Sequence, residues 1–278
     1  MHSTERPGVP GSLPAGLGQA IRGTAEEIAT LLRSAADTSL PVPDSEWTIG
    51  EAAAHLALAN ELMADLAAGR ERPYGDGTPQ SLAAANAQSL AVFGERRAEP
   101  LAKMITDQAE AFLDATARAA TDGVDDGPVP DTPLGPMPLP VLASYLLTHM
   151  LGHGYDLARA LRRPHMIDSA RASLCAPFIL SVMPLATDTT AAAGLTVRYR
   201  IRLRGGEAFG VSVSDGAVRM TPGPPKGADC TILIEPRAFL LIALGRLNPW
   251  RAIAQGQVLA WGPRPWLAPR FPTLFTAP

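Results

Sequence analysis

The hydrophobic period of this chain changes once. From residue 17 to about residue 165, apolar side chains recur three and four residues apart, as Leu17, Ile21, Ile28, Leu31 and Leu32 do in LGQAIRGTAEEIATLLRSAAD. From Leu195 the alternation is strict. Leu195, Val197, Tyr199, Ile201 and Leu203 fall on one face of LTVRYRIRLRG, with Thr196, Arg198, Arg200, Arg202 and Arg204 on the other. A helical period does not fit a sheet, nor a two-residue period a helix, so the two stretches belong to differently built parts. A length of 278 residues is enough for two ordinary cores.

The first part reads as four helices. PVPDSE ends the first. WTIGEAAAHLALANELMADLAAG opens on a capping box, Thr48 with Glu51, and Trp47 can staple onto its first turn. SLAAANAQSLAVFGERRAEPLAKMITDQAEAFLDATARAA is the third, kinked or divided at Pro100. TDGVDDGPVPDTPLGPMPLP is a rigid polar loop, and residues 139 to 163 form the fourth. Such a set packs as an antiparallel bundle, where sites form from side chains on facing helices. After a connecting helix in RRPHMIDSARASLCAPFILSVMPLA come an alternating strand, two strands joined by SDG, the strand DCTILIE, two helices and a last strand QVLAWG. The expected fold is therefore a four-helix bundle over residues 1–165, then a smaller α+β domain with an antiparallel sheet over 166–278.

Composition removes several function classes. The formal charge is −3 and aromatic residues make up 5% of the chain, which suits neither a phosphate-backbone binder nor a base-stacking platform. No nucleic acid partner is expected. Two cysteines, Cys175 and Cys230, make no disulfide framework, so a reducing cytoplasm is the expected compartment. MHSTERPGVPGSLPAG lacks the apolar core of a signal peptide, and no run reaches about 18 apolar residues, so no membrane partner is expected. Arginine far outnumbers lysine, present only as Lys103 and Lys226, and Ala, Gly and Pro abound. That is the coding bias of a GC-rich genome and points to an actinobacterial source. The oligomeric state is not readable.

Two of the five histidines, His149 and His153, stand four residues apart in LASYLLTHMLGHGYDLARAL. One-turn spacing puts both imidazoles on one helix face, about 6 Å apart, where they can share an ion. His55, two turns into the helix capped by Thr48, can supply a third ligand from a facing helix. Three neutral imidazoles with an open fourth position suit a catalytic Zn2+ or another divalent metal. The alternative is a helix that merely holds two histidines. Gly152 and Gly154 weigh against it, since each costs about 1 kcal/mol relative to Ala in a helix and so signals a close approach there. Asp156 can orient a ligating ring or another neighbour from outside the ligand set. His165 reads as a surface residue. The residues alone leave both readings open.

WTIGEAAAHLA, followed far downstream by THMLGHGYDLARALRRP, resembles the N-terminal domain of mycothiol-dependent maleylpyruvate isomerases, within the DinB-like metalloenzymes. In that pattern a Trp and a Ser or Thr precede the helix of the first ligand, and a later helix carries two more at i and i+4, then an Asp and a small-apolar-Arg run. Trp47, Thr48, His55, His149, His153, Asp156 and LARAL stand in those places. The likeness covers about residues 10 to 165, and ADCTILIEPRAFLLIALGRLNPWRAIAQGQVLAWG looks like the sterol-carrier-like domain that often accompanies such a bundle. These isomerases have a glutamate where this chain has His149. A three-histidine set is similar to the DinB-like thiol transferases, leaves a divalent site one charge more positive, and favours an anionic fourth ligand.

The resemblance implies a metal-dependent enzyme with mycothiol, a low-molecular-weight thiol, as cosubstrate and a small-molecule electrophile as substrate. A metal-bound thiolate would be the nucleophile, giving either an S-conjugate or a cis–trans isomer. Cys175 and Cys230 read as small buried hydrophobes, so the thiol comes from outside. RLRGGEAFG is a hairpin turn and not a nucleotide loop, and Ser144 and Ser181 have no nucleophile context. The strand arginines read as a solvated face, or as a lure for an anionic substrate. Arg246 and Arg251 flank a helix junction that the sequence does not place. Two other readings stand beside the enzyme: a carrier of an apolar ligand, with AFLLIALG lining a tunnel, and a hydrolase or lyase using bound water.

Overall fold

The computed structural model describes residues 13–70, 72–76, 78–121, 129–206 and 208–276. His2, the start of the segment read for a targeting signal, and residues 122–128 of the polar loop lie outside these. The chain divides after Met166 into two compact units.

The first unit is built on α1 (Leu17–Arg33), α2 (Ile49–Ala67), α4 (Ala98–Thr121) and α5 (Leu139–Ala160), with a shorter α3 (Leu82–Val92). α1 and α2 each pack on both α4 and α5, which makes a four-sided bundle. Its core runs through Ile21, Ile28, Leu56, Leu101, Ile105, Phe112, Leu142, Leu146 and Met150, all fully buried. The third helical stretch does divide, but at Phe93–Arg97 and not at Pro100. Gly94 opens the break. The Arg96 guanidinium then donates to the carbonyls of Leu90 (2.8 Å) and Phe93 (2.6 Å), satisfying the end of α3. Glu95 accepts the N–H groups of Arg96 and Arg97, each at 2.9 Å, as α4 begins. Pro100 sits in the first turn of α4, where a missing N–H costs nothing. Within the polar loop, β1 (Asp131–Thr132) and β2 (Gly135–Pro136) pair antiparallel.

The second unit opens with two short helices, α6 (Ser169–Leu174) and α7 (Ala176–Val182), in place of one connecting helix, and a single turn α8 (Thr189–Ala192). Then follow β3 (Val197–Leu203), β4 (Ala208–Ser214), β5 (Ala217–Pro222), β6 (Cys230–Ile234), α9 (Pro236–Ala243), α10 (Pro249–Ala254) and β7 (Val258–Trp261). The SDG turn has Asp215 and Gly216 at φ 51° and 76°, the paired left-handed residues of a tight hairpin. The sheet order is β5-β4-β3-β6-β7. It is antiparallel except at its centre, where β3 and β6 run parallel, Tyr199 opposite Cys230. Val197, Tyr199, Ile201 and Leu203 are buried, while Arg198, Arg202 and Arg204 face out. Tyr199 anchors the inner face, its hydroxyl donating to the Leu267 carbonyl at 3.1 Å.

Candidate metal centre

α2 starts where the sequence places it. The Thr48 hydroxyl accepts the Glu51 N–H at 3.2 Å, and the Glu51 carboxylate accepts the Thr48 N–H at 2.8 Å. The Thr48 N–H, together with the Thr48 hydroxyl donating to the same carboxylate at 2.9 Å, holds the Glu51 carboxyl below the usual carboxylate range. One residue on, Gly50 lets the helix start lie against backbone: a Cβ there would come within 2.9 Å of the Arg96 carbonyl oxygen. This seating sets the height and rotation of α2, and with them His55.

His55 is 6% exposed, and burial pushes its ring down to about 4, so near neutral pH the imidazole is uncharged with a lone pair to give. Its Nε2 lies 3.1 Å from Nε2 of His149 on α5. Two neutral ring nitrogens at that distance either share a proton or both face a cation. His153 completes the group, with ring centroids 4.5 Å from His149 and 4.9 Å from His55. One ligand atom from each ring lies within 4.8 Å of the others, and this is the group of three able to hold an ion among the described residues. Tetrahedral zinc at about 2.0–2.1 Å from each nitrogen separates its ligands by about 3.3 Å. The closest pair is already there, and imidazole nitrogen is a ligand of the type zinc takes. The residues fit the ion.

Aromatic rings flank the group. Trp47 lies 4.8 Å from His55 and 6.0 Å from His153, nearly parallel to the latter. It therefore reaches past the first turn of α2, where the staple was expected, to the second. Tyr145, one turn before His149, meets that ring edge-on at 6.1 Å. Burial, with a smaller effect of Tyr74, pushes its phenol up to about 12, so it stays protonated. Tyr74 in turn donates to Asn86 Oδ1 at 2.5 Å. Tyr145 was legible in principle, being four residues from His149 as His149 is from His153.

The remaining candidates fall elsewhere. Asp156 is half-buried and outside the histidine group. Gly154 marks a close approach of the kind expected: a Cβ there would come within 2.8 Å of Met166 Sδ and 3.1 Å of Ile28 Cγ1. His165 is half-buried, not on the surface, its ring 5.2 Å from Tyr155. Cys175 and Cys230 are buried thiols outside any disulfide, and burial pushes the Cys230 thiol up to about 11. Ser144 is buried, and the Ser181 hydroxyl donates to the Phe178 carbonyl at 2.7 Å. Arg246 lies between α9 and α10, donating to the Leu244 carbonyl, and Arg251 is exposed on α10.

Residues 21–158 match the family model of the mycothiol maleylpyruvate isomerase N-terminal domain, and residues 184–263 that of the SCP-2 sterol transfer family. The N-terminal domain belongs to the mycothiol maleylpyruvate isomerase family. It is a family of enzymes. A solved structure of a histidine-to-alanine mutant of the mycothiol-dependent maleylpyruvate isomerase is 15% identical, covers 89% of this chain and 93% of its own, and superposes with a TM-score of 0.50. A further structure of the mycothiol-dependent maleylpyruvate isomerase has the same identity and coverage with a TM-score of 0.45. At this identity the first likeness speaks to the fold alone. No curated protein matches the sequence.

Proposed function

We propose that this chain is a divalent-metal-dependent enzyme that uses mycothiol on a small electrophile, as a cis–trans isomerase or an S-transferase. Residues 1–165 form its metal-binding domain and 166–278 its sterol-carrier-like domain. His55, His149 and His153 are the ligands, for zinc or another divalent ion, with Asp156 as an outer partner. One observation carries the reading: histidines from α2 and α5, 94 positions apart in sequence, converge with ring nitrogens 3.1 Å apart in a bundle of this family.

When bound, the ion lowers the pKa of a coordinated thiol far below about 8.5 and supplies a thiolate at neutral pH. The rest falls to the chain. Its three ligands are neutral, so they leave the ion's charge uncompensated, which favours an anionic sulfur in the fourth position. Neither cysteine can serve as the thiol, since both are buried in the other unit. An external thiol therefore adds to a carbon–carbon double bond of the electrophile. Addition leaves the displaced electron pair on the conjugated carbonyl as an enolate. The former double bond, now single, rotates and the pair's return expels the thiolate to give the other geometry, or the enolate takes a proton from solvent and the S-conjugate is the product. The reducing cytoplasm of an actinobacterium, where mycothiol is made, suits this chemistry.

Elemental analysis followed by assay of the metal-loaded protein with mycothiol tests the proposal, using maleylpyruvate and a panel of unsaturated electrophiles. The expected result is about one divalent ion per chain, lost in His55→Ala and His149→Ala, with turnover that needs the thiol. A loaded protein that neither binds mycothiol nor accelerates any addition would falsify it. Turnover without thiol would favour the hydrolase or lyase, and apolar-ligand binding without turnover the carrier.

A further inference from the structure

Trp47 is not part of the ligand set, yet its indole lies against two of the three rings from outside, with ring centroids 4.8 Å and 6.0 Å away. The segment that presents it is tied on both sides. Val42 N–H donates to the Trp47 carbonyl at 2.9 Å, and Trp47 N–H to the Ser45 hydroxyl at 3.2 Å. Ile49 and Gly50 N–H groups donate to Leu40 and Thr38 carbonyls at 2.9 Å and 2.8 Å. Val42 is buried at 3% exposure, and Asp44, at φ 61°, sets the tip of the loop against Arg159 at the end of α5 at 2.9 Å. A loop so closely bonded is a mount, and the flat indole is what it holds.

We propose that Trp47 is a positioning residue of the metal centre: stacked on His153 and tilted against His55, it fixes both imidazoles in the orientation that ligates and keeps water off that side of the ion. The physical need is plain. Without an ion, the Nε2 atoms of His55 and His149, 3.1 Å apart, can hydrogen-bond to each other, so holding the rings in the ligating orientation calls for a constraint from outside the pair. His149 is placed by its own helix and by Tyr145, whereas His55 and His153 come from different helices and share one flat neighbour. The inference rests on the metal reading proposed above.

Titration of the full chain with Co2+, read by visible absorption and by competition with a chromophoric chelator, tests it apart from catalysis. Wild-type protein should bind one equivalent with the intense absorption of a four-coordinate ion. Trp47→Leu, which keeps apolar bulk but not the ring, should bind about 10- to 100-fold more weakly, with a paler spectrum as water enters the coordination sphere. Trp47→Phe should restore most of the affinity and the intensity, a rescue that mere space-filling does not explain. Wild-type affinity and spectrum in Trp47→Leu would overturn the positioning role while leaving the metal centre intact. Failure of the wild type to bind Co2+ would overturn both, so the two failures are distinguishable.

Discussion

His55 is a histidine that holds its proton poorly, because 6% exposure leaves the charged ring little water. Its folded pKa is about 4 against an ordinary 6.5. The unfolded chain takes up a proton below pH 6.5 that the folded chain refuses until about pH 4. The stability this ring contributes is therefore complete above 6.5 and is lost as pH falls toward 4. A difference of this size corresponds to about 3 kcal/mol at most. For metal-free protein, urea midpoints measured from pH 7.5 to 4.5 should fall steadily below 6.5, and His55→Leu should flatten that slope. An equally steep slope in His55→Leu would mean another group carries it. The one-turn spacing of His149 and His153 was plain in the sequence. What it did not carry was the reach of Trp47, since a residue just before a cap can turn toward the first turn or the second, and neighbouring helices decide which.

At the scale of elements, the start of α2 does more for the site than its length suggests. Gly50 lies in a helix, where alanine is ordinarily better by about 1 kcal/mol. Here the added Cβ would sit 2.9 Å from the Arg96 carbonyl oxygen and 3.3 Å from that of Thr38, both backbone atoms that do not swing aside. Gly50→Ala should therefore destabilise the protein by about 1–3 kcal/mol in chemical denaturation, and weaken metal binding as α2 shifts. An unchanged or raised midpoint would show that the helix start has slack. The capping box, the SDG hairpin and the alternating strand were all readable, because each depends on residues within a few positions. The break between α3 and α4 was read at Pro100, the strongest local helix breaker. It fell instead where Arg96 could satisfy the carbonyls at the end of α3, a choice made by hydrogen bonding over several residues.

For the whole molecule, all three histidines of the proposed metal site precede Met166, the end of the first compact unit. A protein ending there should fold and keep its divalent ion, measured by circular dichroism and elemental analysis. Loss of the ion from a folded truncated bundle would mean that residues downstream help to hold it. The sequence by itself determined what depends on near neighbours: helical and alternating segments, the helix start at Thr48, the paired histidines and the division into two parts. Only the tertiary structure decided which distant segments met. It brought His55 to His149, ran β6 parallel to β3, and set Trp47 against two rings. Periodicity states which face of a helix or strand is buried, but not which partner buries it. That choice is made by packing among several elements at once, where no short stretch of sequence holds all the contacts.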